Sequence, residues 1–491
     1  MLPFCRMMQY GVEDRRCRHR AQKANSYHLL DMRNLFKQNP GRNKSANWRD
    51  FQVELKQKSK ERRLWNNHGI RLTLLSLVVS CTLFTLGALV WNKLPLVPTT
   101  LAEASLSPTS ALQLKSKKDI QKLFSEHGLN NLDSKTIKLP VNNQVLQVDT
   151  SLDSRLQNYL LEKMDRKNSR YIGIVVMEAD TGRVLTLAGF DKANPSANPC
   201  LSSKFPAASV FKIVTAAAAV DHSGLTAESK MHFNGYKHTL YKSQLKEKTN
   251  RYTNTISLKN AFAQSVNPVF GKIGKLRLGG TQLEKFADAF GFNTTINFEL
   301  PLAPSHFKVE DIPYNWAELA SGFNNDTTIS PLHGAIMAAA VLNEGRLMEP
   351  SIVDRIVDSE GEILYQWSPV SEKQAMSSEA SSILNQLMQT TISSGTSRKS
   401  FRGYRRDSIL SHLQIGGKTG SINNRTHDQR FDWFVGFAKG RQGESKLAIA
   451  VLVAHQNYIG IRASRYARMA MKYYFQNSLA SNDQDLPDQH N

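Results

Sequence analysis

The chain has 491 residues, room for two or three domains or for one large domain with appendages. Apolar residues make up 41% of it, an ordinary globular share that excludes a wholly disordered protein. Its net charge of +21 is uneven: residues 1–71 hold 17 Lys/Arg against 6 Asp/Glu, a local net of +11, which argues against a nucleic-acid role for the whole protein.

Residues 1–44 are polar, basic and rich in Asn, Arg and Gln, and read as disordered. In residues 45–65, Trp48, Phe51 and Leu55 recur at helical spacing among basic side chains. Two readings stay open there: a helix on an anionic cytoplasmic leaflet, and a solvated juxtamembrane linker. The run LTLLSLVVSCTLFTLGALVW, residues 72–91, carries no charge. At about 1.5 Å per residue it spans a bilayer core of about 30 Å. Arg71 and Lys93 flank it, and Trp91 suits the interfacial belt. The Lys/Arg excess before it predicts a cytoplasmic N-terminus, with residues 93–491 on the outer, periplasmic side. A cleaved signal peptide is the rival reading, but the run starts far into the chain and exceeds a typical h-region. A single-pass anchor in the cell membrane is therefore expected.

The four cysteines give no disulfide framework, because Cys5 and Cys17 fall on the cytoplasmic side, Cys81 in the membrane, and Cys200 alone outside. Cys200 reads as a bland, partly buried thiol. No Cys/His spacing resembles a zinc site, and neither a metal nor a cofactor is expected.

Residues 92–150 hold a Pro/Thr/Ser stretch and short mixed segments, read as a linker or small juxtamembrane subdomain. The main globular domain is expected over 151–476. In YIGIVVMEADTGRVLTLAGF, two apolar runs flank ADTG, a hairpin signal. Helical patterns dominate from about 206 to 345, including SPLHGAIMAAAVLNEG. Strand patterns return in DWFVGFAKG (432–440) and KLAIAVLVAHQ (446–456), and IRASRYARMAMKYYF is helical. Residues 477–491 form a polar tail. Strands first and last with helices between predict an α+β domain, its central antiparallel sheet covered by helices and joined by a helical subdomain.

Three short patterns carry chemistry. FPAASVFKIVTAAAAV, residues 205–220, reads as a buried helix, yet it holds Ser209 and Lys212 one turn apart. A serine hydroxyl needs a base to become a nucleophile, and a lysine serves if burial or a second cation lowers its pKa. SQLK at 243–246 has the same spacing in a charged stretch, where a solvated face explains it better. The second pattern, QSVNP, offers a hydroxyl at Ser265 for proton relay and an amide at Asn267 for a peptide. The third, GGKTGS, supplies Lys418, Thr419 and Ser421 as partners for a carboxylate, and Gly420 leaves room for a substrate backbone. Seen alone it also reads as a Gly-rich turn.

In this order and spacing the three resemble the penicillin-binding protein family, the serine acyltransferases that include the serine β-lactamases. The resemblance covers roughly residues 152–475. DTGRVLTLAGF looks like the family's opening hairpin, and ISPLHGAIMAAAVLNEGRLMEP, SGTS at 394–397 and DWFVGFA are similar to its monofunctional (class B) transpeptidases. The resemblance implies that Ser209 attacks the penultimate D-Ala carbonyl of a peptidoglycan stem peptide and that Lys212 takes its proton. Ser265 would pass that proton to the leaving amine, and Asn267 would hold the donor peptide. Lys418, Thr419 and Ser421 would bind the terminal carboxylate, with Gly420 beside them, and the N–H groups of Ser209 and Ser421 would form the oxyanion hole. β-Lactams would acylate Ser209. Membrane attachment through 72–91 and contact with cell-wall synthesis proteins follow, with no nucleic acid. The 60 or so residues between anchor and domain leave no room for the class B pedestal or a glycosyltransferase domain. Alternatives from the same superfamily are a β-lactamase, a β-lactam sensor or a carboxypeptidase; an inactive wall-binding scaffold is a third.

Overall fold

The computed structural model describes residues 114–129, 132–141, 144–440 and 445–484. The expected anchor 72–91, the basic segment before it and Cys5, Cys17 and Cys81 lie outside them. Among the described residues no helix is long and apolar enough to cross a membrane.

The segment expected as a linker or small juxtamembrane subdomain contains helix α1 (Lys117–Glu126), whose N-cap Ser116 and Asp119 form a reciprocal capping box. Strands β1 (Thr136–Val141) and β2 (Gln144–Thr150) follow, then α2 (Ser154–Lys163). The hairpin around ADTG is present, as β3 (Ser169–Glu178) and β4 (Val184–Asp191). A two-residue strand, β5 (Phe205–Pro206), precedes a 3-10 turn, Ala208–Phe211, and the α-helix itself is α3 (Lys212–Ser223).

A second hairpin, β6 (Lys230–Phe233) with β7 (Asn254–Ser257), interrupts the stretch that reads as helical. Helices α4 (Leu258–Ala263), α5 (Asn267–Ile273), α6 (Gly279–Ala289) and α7 (Pro313–Ser321) make the helical subdomain. Then come β8 (Thr328–Ile329), pairing β5, and α8 (Pro331–Leu342), capped by Ser330. Next are β9 (Arg346–Met348), β10 (Val353–Val357), β11 (Ile363–Gln366), β12 (Ser371–Gln374) and α9 (Ser378–Ser393). The chain closes with β13 (Leu413–Asn423), β14 (Arg430–Gly440), β15 (Lys446–His455) and α10 (Ala463–Gln484).

The central sheet runs β13-β14-β15-β3-β4, antiparallel throughout, and joins the two ends of the domain as expected. Its middle strand β15 reads as a continuous apolar run because both faces are covered. Ala448, Ala450, Leu452 and Ala454 pack into one core with α8, α3 and α9. Leu447, Ile449, Val451 and Val453 enter a second core with α2 and α10. On α10, Ala463, Tyr466, Ala467, Ala470 and Met471 recur at helical spacing and form the face that covers the sheet. The helix carries on to Gln484, into the stretch read as a polar tail.

The residues before 151 are built into the domain, because β2 pairs with β10 in a four-stranded sheet, β1-β2-β10-β11. A buried cation fastens α1 to it. The Lys117 ammonium donates to the Pro350 carbonyl (2.6 Å), pairs with Glu349 (2.6 Å) and lies 3.9 Å from the fully buried Glu299. Burial pushes the Glu299 carboxyl up, and the Lys117 charge is the largest influence opposing that. Lys117→Ala leaves this carboxylate uncompensated and is expected to cost about 3–5 kcal/mol of stability. The check is a lowered Tm in thermal unfolding, largely restored when Glu299→Gln is added.

Candidate active site

Ser209 lies in the 3-10 turn that leads into α3, and Lys212 is the first residue of the helix, so the pair sits at its mouth. The turn is held in an unusual shape. Ala208 has φ 48°, a left-handed value for a residue with a side chain. Behind it, Gly322 (φ +62°) ends α7, and a Cβ there would collide with the Ala208 carbonyl oxygen. Trp433 of β14 donates its indole N–H to the Pro206 carbonyl (2.8 Å) and clamps the other end. The turn is thus fixed by α7 on one side and the central sheet on the other.

Lys212 is fully buried. Its amine contacts the Asn267 amide oxygen (2.8 Å), the Ser321 carbonyl and the Ser209 hydroxyl (2.8 Å). Burial, and then the nearby Lys418 charge, hold its pKa well below the ordinary lysine value. A neutral amine has two hydrogens and one lone pair. The Asn267 and Ser321 oxygens accept both hydrogens, so the lone pair faces the Ser209 hydroxyl. This is the arrangement of a base that activates a nucleophile.

Ser265 adopts φ 55° between α4 and α5. Lys418, fully buried on β13, reaches across to the Ser265 hydroxyl (3.0 Å) and to the Thr419 carbonyl (2.7 Å). Burial pushes Lys418 down to about 7. Asn267 opens α5 and donates from its amide nitrogen to the His238 carbonyl (3.1 Å). It therefore also orients Lys212, a duty its sequence motif does not show. The whole expected set, Ser209, Lys212, Ser265, Asn267, Lys418, Thr419, Gly420 and Ser421, lies on β13, on the turn into α3 and its first residue, or at the α4–α5 junction. Ser243 and Lys246 of the rival SQLK are both exposed.

Two expectations are corrected in their reasons. A Cβ on Gly420 would meet the Ala207 carbonyl oxygen (3.2 Å) and the Val210 nitrogen (3.3 Å). The glycine thus lets β13 press against the Ser209 turn; the room beside it is filled by protein. Lys418 turns inward to Ser265, so the cleft-facing groups of the motif are Thr419 and Ser421. Thr419 shares a 2.6 Å hydroxyl bond with Thr396, from the SGTS stretch. Ser421 bonds Asp432 on the neighbouring strand (3.0 Å). Burial opposes ionisation of Asp432, but the nearby His455 ring (3.8 Å), the bonds from the Ala463 amide and Ser421, and the Arg462 charge hold its carboxyl below the usual value.

Ser209, Ser265, Asn267, Thr396, Thr419 and Ser421 line one cleft of about 1020 Å³. Sequence reasoning missed Ser321, Gly322, Asp432 and His238, which also border the site or support it. His238 lines the cleft, and burial together with Lys212, Lys418 and Lys237 lowers its pKa below the ordinary histidine value. Cys200 is fully buried, its thiol pushed up to about 12 by burial and set against the Ile174 and Ala188 carbonyls, outside the cleft. Among the described residues no group of three or more His, Cys, Asp or Glu is arranged to hold a metal ion.

The penicillin binding protein transpeptidase domain model matches residues 172–472. Among curated proteins, the chain is 27% identical over 277 residues to peptidoglycan D,D-transpeptidase PbpA of Mycolicibacterium smegmatis, covering 54% of this chain and 52% of the relative. It is 25% identical over 345 residues to PbpA of Mycobacterium tuberculosis, covering 62% and 67%. The match thus spans about half of the first relative and about two thirds of the second. Among solved structures, a ceftriaxone acyl-enzyme of penicillin-binding protein A from M. tuberculosis superposes with a TM-score of 0.52 at 24% identity, over 62% of this chain and 74% of that one. The D,D-transpeptidase domain of a peptidoglycan glycosyltransferase from Eggerthella lenta gives 0.55 at 21%, over 73% and 87%. At these identities the superpositions show a shared fold.

Proposed function

Because the chain belongs to the penicillin-binding protein transpeptidase family, matched over residues 172–472, we propose that it is a class B-like serine D,D-transpeptidase that cross-links peptidoglycan stem peptides. The observation that carries this reading is the fully buried Lys212 amine 2.8 Å from Ser209 Oγ, where burial holds its pKa well below the ordinary lysine value.

Ser209 attacks the carbonyl of the penultimate D-Ala as Lys212 takes its proton. The Ser265 hydroxyl, held by Lys418, relays a proton to the departing D-Ala amine. β13 is the edge strand of the central sheet, so an extended donor peptide adds to it as a further strand. Asn267 keeps a second amide N–H for a substrate carbonyl. Thr419, beside Thr396, faces the terminal carboxylate. The N–H groups of Ser209 and Ser421, on elements in direct contact, serve as the oxyanion hole. β-Lactams acylate Ser209 by the same route. A neutral, apolar run at 72–91 supports a single-pass anchor in the cell membrane with the domain on the periplasmic side. Cell-wall synthesis proteins are the natural partners of such an enzyme.

A hydrolytic β-lactamase needs a base that activates water on the acyl-enzyme. Among the described residues the sole carboxylate lining the cleft is Asp432, which Ser421 and the Ala463 amide occupy. That favours transfer to an amine. The test incubates the full chain in detergent with polymeric peptidoglycan and separates the muropeptides. Cross-linked dimers are expected from the wild type and none from Ser209→Ala, which also loses labelling by a fluorescent penicillin. Trimmed monomers alone identify a carboxypeptidase, and sustained nitrocefin turnover identifies a β-lactamase.

A further inference from the structure

Ser421 and Asp432 face each other across the β13–β14 ladder, the serine exposed on the cleft wall and the aspartate only 5% exposed. Their 3.0 Å bond has a direction, and the other neighbours of Asp432 decide it. The Ala463 amide donates to Oδ2 (3.1 Å), and the Arg462 guanidinium lies 3.5 Å from Oδ1. The His455 ring stands 3.8 Å from Oδ2. Its Nδ1 accepts the Gly460 N–H (3.3 Å), so a neutral ring carries its hydrogen on Nε2, toward Asp432. Asp432 therefore meets donors, and together they hold its carboxyl below the usual value. A carboxylate only accepts, so the bond runs from Ser421 to Asp432.

A serine hydroxyl has one hydrogen. With it committed to Asp432, Ser421 Oγ turns lone pairs and no hydrogen to the cleft. Thr419, two residues earlier on β13 and hence on the same face, shares its 2.6 Å bond with Thr396. Whichever threonine donates, the other keeps its own hydrogen for the cleft that both of them line. The wall thus offers a donor at the threonine pair and an acceptor at Ser421. A carboxylate, which only accepts, is met by the first and opposed by the second, with the Asp432 charge directly behind it. A carboxamide carries both an oxygen and an N–H₂ group, so it matches both.

We infer that Asp432 is a specificity-determining residue: by taking the Ser421 hydrogen, it shifts the preference of the cleft from a donor ending in a carboxylate toward one ending in a carboxamide. This rests on the acyl-transfer reading above. Asp432 touches no reacting atom and acts through Ser421, whose hydroxyl meets the end of the donor. The GGKTGS pattern shows that hydroxyl but not where its hydrogen goes. Strand register decides that, by placing Asp432 opposite.

The test compares two thioester donors, an N-acyl-D-alanyl thioglycolate and the matching thioglycolamide, which differ only in the end group. The full chain in detergent is assayed by thiol release, and the readout is the ratio of kcat/KM for carboxylate over carboxamide. Intrinsic leaving-group reactivity cancels when each variant is compared with the wild type. A general defect in folding or at Ser209 lowers both rates and leaves the ratio alone. Asp432→Ala frees the Ser421 hydrogen and should raise the ratio about tenfold, the scale of one hydrogen bond to a charged group. Ser421→Ala keeps the backbone N–H but removes the acceptor for the carboxamide, and should raise the ratio about threefold. A Ser421 that donated to the carboxylate would give the opposite sign in that variant, which keeps the test decisive even where Asp432→Ala fails to fold. A ratio that fails to rise in either folded variant overturns the inference. Failure of both thioesters to acylate wild-type Ser209 overturns the acyl-transfer reading, and the inference with it.

Discussion

Lys212→Met is expected to slow acylation of Ser209 by about 10²–10⁴-fold, the range for losing a positioned general base. Methionine has nearly the length of lysine, so it fills the buried slot without a cavity. It removes the cost of burying an amine and leaves the Asn267 and Ser321 oxygens without their donors, a loss of about 1–3 kcal/mol. These effects oppose each other, so the variant is expected to stay folded with a Tm close to that of the wild type. The pH dependence separates base catalysis from a packing defect. Lys212 loses its proton well below the ordinary lysine pKa, and its neutral form is the active one. Wild-type acylation should therefore climb with pH through that titration, while Lys212→Met lacks the climb. Gel-based labelling with a fluorescent penicillin across a pH series measures both. A variant that labels within about tenfold of the wild type removes Lys212 from the role of base.

The candidate site groups were legible as a set because each sits in a short, local pattern. Ser209 and Lys212 are three residues apart, Ser265 and Asn267 two, and Lys418 to Ser421 contiguous, so no knowledge of the fold was needed to group them. What supports them comes from far along the chain. The Ser321 carbonyl that accepts a hydrogen bond from Lys212 is 109 residues away, and it is a backbone group, which no residue type marks. Gly322 shows in sequence only as a glycine after a helical pattern; its pressure on Ala208 belongs to tertiary packing. Asp432 was inside DWFVGFA, but its contact with Ser421 depends on strand register, which pairs those two residues directly.

Some local signals were misread. Phe205 precedes a proline, which disfavours helix, and the helix indeed begins only at Lys212. In KMHF the buried Met231 and Phe233 alternate with exposed residues, a strand signal too short to compete with the helical patterns around it. Residues 136–150 read as linker or as a small subdomain of their own because their sheet is completed by Val353–Val357, some 200 residues later. A strand whose partner is that distant carries no evidence of its pairing in its own composition.

Lys418→Met tests the coupling of the two buried amines and should produce a combined effect. Lys418 holds the Ser265 hydroxyl from 3.0 Å, and without it the relay to the leaving amine loses its anchor. A loss of about 10²–10³-fold in acylation by a peptide-like thioester is expected, as for removing one preorganised donor. The second effect has the opposite origin. After burial itself, the Lys418 charge is what lowers Lys212. Removing a positive neighbour makes protonation of Lys212 easier, so the Lys212 pKa rises. The rising limb of the pH–acylation profile must then move to higher pH, and part of the lost rate should return in alkaline buffer. Since burial alone pushes Lys418 to about 7, its charge acts on Lys212 most strongly below that pH, and the two profiles should diverge most on the acid side. A profile that drops uniformly, with no alkaline shift, would show that Lys418 serves Ser265 alone and that burial suffices to neutralise Lys212.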